Sequence, residues 1–109
     1  MPKNNNKKIA SDTTVDNLIK VCHEIAKGKG WWDKERSDGE VIALMHSELS
    51  EALEAMRNSH PKEALAEELA DCCIRIFDYC GQKKIDLGEA LLKKIEKNKG
   101  RPYRHGKVF

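Results

Sequence analysis

Residues 38–57, DGEVIALMHSELSEALEAMR, decide the fold. Ile42, Met45, Leu49, Ala52, Leu53 and Met56 recur every three or four positions. That spacing draws one apolar stripe along an α-helix. Asp38 is placed to cap the helix start. Asn58-Ser59-His60-Pro61 closes it, because proline disfavours helical backbone at the residue before it. The period-two alternation that a strand needs is absent here and elsewhere in the chain.

Upstream, Thr13 or Thr14 can cap an earlier helix with the stripe Val15, Leu18, Ile19, Cys22, Ile25 and Ala26. Gly28 and Gly30 end it. Residues 31–36 read as a connector holding the adjacent Trp31 and Trp32, which are costly to leave in water. Downstream, Pro61 or Lys62 opens a third helix carrying Leu65, Leu69, Cys72, Cys73, Ile76, Phe77 and Cys80, with Gly81 as its stop. Asp86 and Glu89 form a capping-box-like start to a fourth helix carrying Leu87, Ala90, Leu91 and Ile95. Gly100-Arg101-Pro102 breaks that helix after Asn98 or Lys99.

The expected fold is therefore all-α, a bundle of four helices joined by short connections. Residues 13–100 form the domain, residues 1–12 a disordered segment, and residues 101–109 a basic C-terminal tail. A chain of 109 residues is small. A second copy would help to cover its helix faces, so homo-oligomerisation is expected, as a homodimer or a homotetramer.

Composition narrows the function. Charged residues make up 35% and hydrophobic ones 39%, too apolar a balance for a disordered chain. No apolar run approaches a bilayer span, and no apolar segment follows the basic N-terminus as a secretory signal requires. The expectation is a cytoplasmic protein with no membrane partner. Residues 93–109 hold seven Lys/Arg against the single acid Glu96, which leaves the middle of the chain net acidic. Such a middle repels a phosphate backbone, so no nucleic-acid partner is expected. The four cysteines form no C-x-x-C pair, which excludes zinc-ribbon and thioredoxin-type spacing. Cys73 and Cys80 are seven apart, share a face with Phe77, and read as small buried hydrophobes.

Chemistry is concentrated in carboxylates. Glu48 and Glu51 lie three apart on the second helix, as Glu68 and Asp71 do on the third. Residues so spaced are neighbours on one face, and like charges there repel unless a cation lies between them. Each pair flanks the apolar stripe of its helix, so two consecutive antiparallel helices can bring them into one four-carboxylate cage. Oxygen-only ligands suit Mg²⁺, with Mn²⁺ as a substitute, and not zinc. The alternative at this point is two solvated acidic faces balanced by neighbouring Lys and Arg.

The segments His46-Ser47-Glu48-Leu49-Ser50-Glu51-Ala52-Leu53-Glu54-Ala55 and Glu67-Glu68-Leu69-Ala70-Asp71, with Lys94, Asn98 and Arg101 at their spacing, resemble the MazG-like family. These are all-α nucleoside triphosphate pyrophosphohydrolases, grouped with the dimeric dUTPases and dCTPases. Their signature is E-E-x-x-E, a spacer, then E-x-x-D. Glu48-x-x-Glu51 matches its first part and Glu68-x-x-Asp71 its second, across the 16 residues 52–67. Ser47 stands where the doublet has its first Glu. That departure reads as subfamily variation and carries no second-metal role to the position.

The resemblance implies an enzyme that cleaves (d)NTPs between the α and β phosphates, giving a nucleoside monophosphate and pyrophosphate. It implies Mg²⁺ held by Glu48, Glu51, Glu68 and Asp71, with Glu48 or Glu51 as general base. Lys94, Asn98 and Arg101 then clamp phosphate or ribose. Trp31, Trp32 and His23 are placed to form the base pocket, one tryptophan structural and one approaching the ligand. A catalytically silent nucleotide- or metal-binding module on the same scaffold is the alternative, and a module of that kind has no need of both carboxylate pairs.

Overall fold

The computed structural model describes residues 13–108. The expectation for residues 1–12 lies outside the described residues. Four α-helices follow one another, with no strand among the described residues: α1 (Val15–Gly28), α2 (Asp38–Arg57), α3 (Lys62–Lys83) and α4 (Leu87–Lys99). A single 3₁₀ turn, Tyr103–Gly106, follows in the tail. The all-α expectation holds.

Capping chemistry sets three of the four starts. Thr14 accepts from the Asn17 amide at 3.3 Å and Asp86 from the Glu89 amide at 3.1 Å. For α2 the cap is Ser37, which accepts from the Glu40 amide at 3.1 Å, and Asp38 is the first helical residue. Asp38 serves elsewhere: it receives Lys83 at 3.1 Å and the Tyr79 hydroxyl at 3.0 Å, tying the start of α2 to the end of α3. Those donors hold its carboxyl below the ordinary value, Lys83 more than Tyr79.

Gly81 does not stop α3, which runs on to Lys83 and ends at Lys84 in the left-handed region. The glycine answers a different need. A Cβ at Gly81 would stand 2.6 Å from the Cβ of His23, so the missing side chain lets α1 and α3 approach there.

The long helix α3 is the centre of the molecule and packs along both α1 and α2, while α4 touches α1 only lightly. The buried face of α2 differs from the apolar stripe read from the sequence. Val41, Glu48, Ala52 and Ala55 are buried; of the stripe read from the sequence, Ala52 is among them and Met45 is half-buried, whereas Ile42, Leu49, Leu53 and Met56 are exposed. The two sets have the same 7-4-3 spacing, offset by one residue. Ala52 and Ala55 put small side chains on the buried face of α2, and the larger apolar ones are left on the outside. Glu48 thus lies on the packed face itself and does not flank it. A similar correction applies to the cysteines: Cys72 and Cys80 are buried and Cys73 is exposed. On α4, Leu91, Leu92 and Ile95 are exposed as well.

Candidate metal centre and adjoining cavity

The close packing of α2 on α3 brings carboxylates of both helices together. Ligand oxygens of Glu48, Glu68 and Asp71 lie within 4.8 Å of one another. Oxygens on one Mg²⁺ sit about 2.1 Å from the ion, hence up to about 4.2 Å apart. A small contraction would therefore place all three on a single hard cation, and the donor set is the right one for it. Glu48 is only 8% exposed, unusual for a carboxylate unless it is paired. Partial burial raises the Glu68 carboxyl above its ordinary value, and the charges of Glu51, Asp71, Glu48 and Glu67 raise it further. Glu51 is exposed and stands outside the three-residue group, although its charge reaches Glu68.

Beside this group lies a cavity of about 420 Å³, a size common for small-molecule sites. Glu48, Asp71 and Arg75 give it charged lining, and Cys22, Ile25, Ala26, Trp31 and Ile74 supply apolar wall. Lys29 and Asp78 complete it. Burial raises the Cys22 thiol above its ordinary value, as do the neighbouring Asp78 and Cys73.

The two tryptophans part company here. Trp31 lines the cavity. The Arg36 guanidinium lies 3.8 Å from its ring centroid and that of Arg75 5.2 Å away. Arg36 is fixed, donating from Nε to the Trp31 carbonyl at 2.9 Å and pairing with Glu40 at 2.7 Å. Trp32 instead donates its indole N–H to Asp78 at 2.9 Å. The same Asp78 oxygen accepts from His23 Nδ1, also at 2.9 Å, and the His23 and Trp32 rings meet edge to face. Asp78 is buried, and these two donors hold it. His23 and Trp32 do not line the cavity; they brace its wall through Asp78.

Lys94, Asn98 and Arg101 also lie outside the cavity lining. Lys94 and Arg101 make no ion pair among the described residues, and Asn98 Oδ1 is buried without a partner. Sequence reasoning did not single out Arg75 or give Asp78 a role. The available signal was register: Arg75 and Asp78 follow Asp71 by four and seven positions, on the same face of α3.

Comparison with known proteins adds one finding. A family model described as the MazG nucleotide pyrophosphohydrolase domain matches residues 36–109. No curated protein and no solved structure gives a match. The matched stretch holds Glu48, Glu68, Asp71, Arg75 and Asp78, while Trp31 and the α1 wall of the cavity precede it.

Proposed function

The chain belongs to the MazG nucleotide pyrophosphohydrolase domain family, and from that premise we propose that it hydrolyses nucleoside triphosphates between the α and β phosphates. The products are a nucleoside monophosphate and pyrophosphate. The observation that carries this reading is the meeting of Glu48, Glu68 and Asp71 beside a cavity lined by Trp31.

Glu48, Glu68 and Asp71 would hold the cation, Mg²⁺ or Mn²⁺, and Glu51 is the fourth carboxylate within electrostatic reach. When bound, the ion neutralises triphosphate oxygens and makes water a better nucleophile. Glu48 or Glu51 takes the proton from the attacking water. The water oxygen bonds to the α-phosphorus, the bond to the bridging oxygen breaks, and pyrophosphate leaves with that electron pair. The apolar wall and Trp31 receive the base, while His23 and Trp32 keep that wall in place through Asp78. Lys94, Asn98 and Arg101 are assigned to the phosphates. That assignment requires α4 to approach the cavity, from the same chain or from a second copy.

A homo-oligomer belongs to the same proposal. Leu53 is 50% exposed and Met56 62%, on an α2 stripe that also carries Ile42 and Leu49. A second copy laid on this stripe would remove a continuous apolar face from water. A cytoplasmic location, where nucleoside triphosphates are abundant, completes the reading.

The test is product identification with each common ribo- and deoxyribonucleoside triphosphate, in Mg²⁺ and in EDTA. Metal-dependent release of monophosphate and pyrophosphate is expected. Release of orthophosphate, or equal turnover in EDTA, would overturn the proposal.

A further inference from the structure

Arg75 pairs with the carboxylate group but holds it loosely. Its Nε lies 3.5 Å from Glu48 Oε1, inside ion-pair range yet longer than a good hydrogen bond. Among the described residues, it is the cation paired with Glu48, Glu68 or Asp71. Its side chain is 30% exposed and lines the cavity between the carboxylates and Trp31. The contrast with Arg36 is informative. Both guanidiniums approach the Trp31 ring, but Arg36 is anchored by a backbone carbonyl and by Glu40. Arg75 has one long contact to a carboxylate and one to a ring face. Of the two cations in the cavity lining, Arg75 and Lys29, Arg75 is the one paired with a carboxylate of the group, and that long contact leaves it able to change partner.

We propose that Arg75 is the built-in counter-cation of the carboxylate group and moves from Glu48 to a nucleotide phosphate when Glu48 takes up a divalent cation. The proposal rests on the pyrophosphohydrolase reading for the second partner. The first half stands on the geometry of Glu48 and Arg75 alone.

Without a cation, Glu48, Glu68 and Asp71 crowd like charges on a partly buried face, and Arg75 offsets part of that repulsion. A divalent ion on Glu48 draws on the carboxylate charge that holds Arg75, so the long Arg75 contact weakens when the ion binds. Once Glu48 turns to the ion, Arg75 loses its attraction and meets repulsion from the new positive charge. Its guanidinium stays in the cavity on its α3 anchor, one turn beyond Asp71. A planar fork of N–H donors there suits two phosphate oxygens. Arg75 thus makes the empty site tolerable, weakens cation binding somewhat, and strengthens nucleotide binding. It couples the two binding events, because the arrival of the cation at Glu48 releases it toward phosphate.

The experiment measures Mn²⁺ binding without nucleotide, by the loss of the free-ion paramagnetic signal, for the wild type, Arg75→Gln and Arg75→Lys. Circular dichroism verifies the helices of each. Arg75→Gln is expected to bind Mn²⁺ more tightly, by up to about fivefold, the scale of a partly exposed ion pair. Arg75→Lys keeps the charge and is expected to stay near the wild type. A non-hydrolysable triphosphate analogue is then added to the Mn²⁺-loaded proteins. Arg75→Gln should bind it about tenfold more weakly, the scale of a lost charge-assisted hydrogen bond. Arg75→Lys, which lacks the fork, should lie between the two. Unchanged or weaker Mn²⁺ binding in Arg75→Gln would overturn the counter-cation, and unchanged analogue binding would overturn the transfer to phosphate. A wild type that binds Mn²⁺ but hydrolyses no nucleotide defeats the pyrophosphohydrolase reading alone. A wild type that takes up no Mn²⁺ defeats both.

Discussion

Asp78 shows how single residues build this site from the inside. One of its oxygens takes both the Trp32 indole and His23, and so joins the connector before α2 and the middle of α1 to α3. A hydrogen bond to a charged group contributes about 1.5–3 kcal/mol. Trp32→Phe keeps most of the ring and removes the donor. It should lower stability by about 1–3 kcal/mol in urea unfolding, and an unchanged midpoint would mean that Asp78 does not depend on that bond. The carboxylate group makes a sharper claim. Glu48→Gln and Asp71→Asn preserve shape and remove charge from residues whose oxygens converge. Each should cut turnover by about 100-fold or more with the helical circular dichroism intact. Retained turnover in either variant would remove that residue from the site. Glu51→Gln should lose turnover in the same assay with its helices intact, and retained turnover would remove the fourth carboxylate from the cage. The carboxylates were legible because i, i+3 acids beside an apolar stripe are a repeated, countable pattern. Arg75 and Asp78 were passed over, since their signal, a register shared with Asp71 on α3, is common on a highly charged chain and gains meaning once α1, the connector and α3 are brought together.

At the scale of the helix, Gly81 and Asp38 separate two kinds of cause. Alanine at position 81 would gain about 1 kcal/mol of helix propensity. Its Cβ would also meet the Cβ of His23 at 2.6 Å, a clash that forces two helices apart. Overpacking of this kind costs about 1–3 kcal/mol, so Gly81→Ala should destabilise the protein on balance. A more stable variant in chemical denaturation would show that α1 and α3 yield at no cost. Asp38 gives a pH signature. Lys83 and Tyr79 lower its pKa from the ordinary 3.8 in the folded chain. The stability it contributes is therefore complete above the unfolded value and is lost as pH falls through the lowered folded value. The stability difference between the wild type and Asp38→Asn should be level at neutral pH and shrink toward zero in acid; a difference that grows in acid would contradict this. Helix limits were legible from Thr14 and Asp86, whose caps form as their residue types suggest. Gly81 was misread because glycine after an apolar run resembles a stop, while Lys84 supplies the left-handed turn. The inner face of α2 was misread for a deeper reason. The buried row, which includes the charged Glu48, and the apolar row beside it have the same period, and periodicity does not say which of them faces α3.

For the whole molecule, the outward stripe of α2 and the exposed Leu91, Leu92 and Ile95 of α4 leave much apolar surface uncovered on a single chain. The proposed oligomer predicts a mass above that of one chain in light scattering after gel filtration. Leu53→Asp should lower that mass by placing charge on the stripe, and a wild type already monomeric at working concentration would show that no second copy covers it. The larger claim concerns the reaction that the packed carboxylates, the cavity and the matched family domain together support. The most direct measurement is hydrolysis of a nucleoside triphosphate in water enriched in heavy oxygen, with mass analysis of both products. Attack at the α-phosphorus predicts the label in the nucleoside monophosphate, with unlabelled pyrophosphate. Label in pyrophosphate or in orthophosphate would place the attack on another phosphorus and contradict the account.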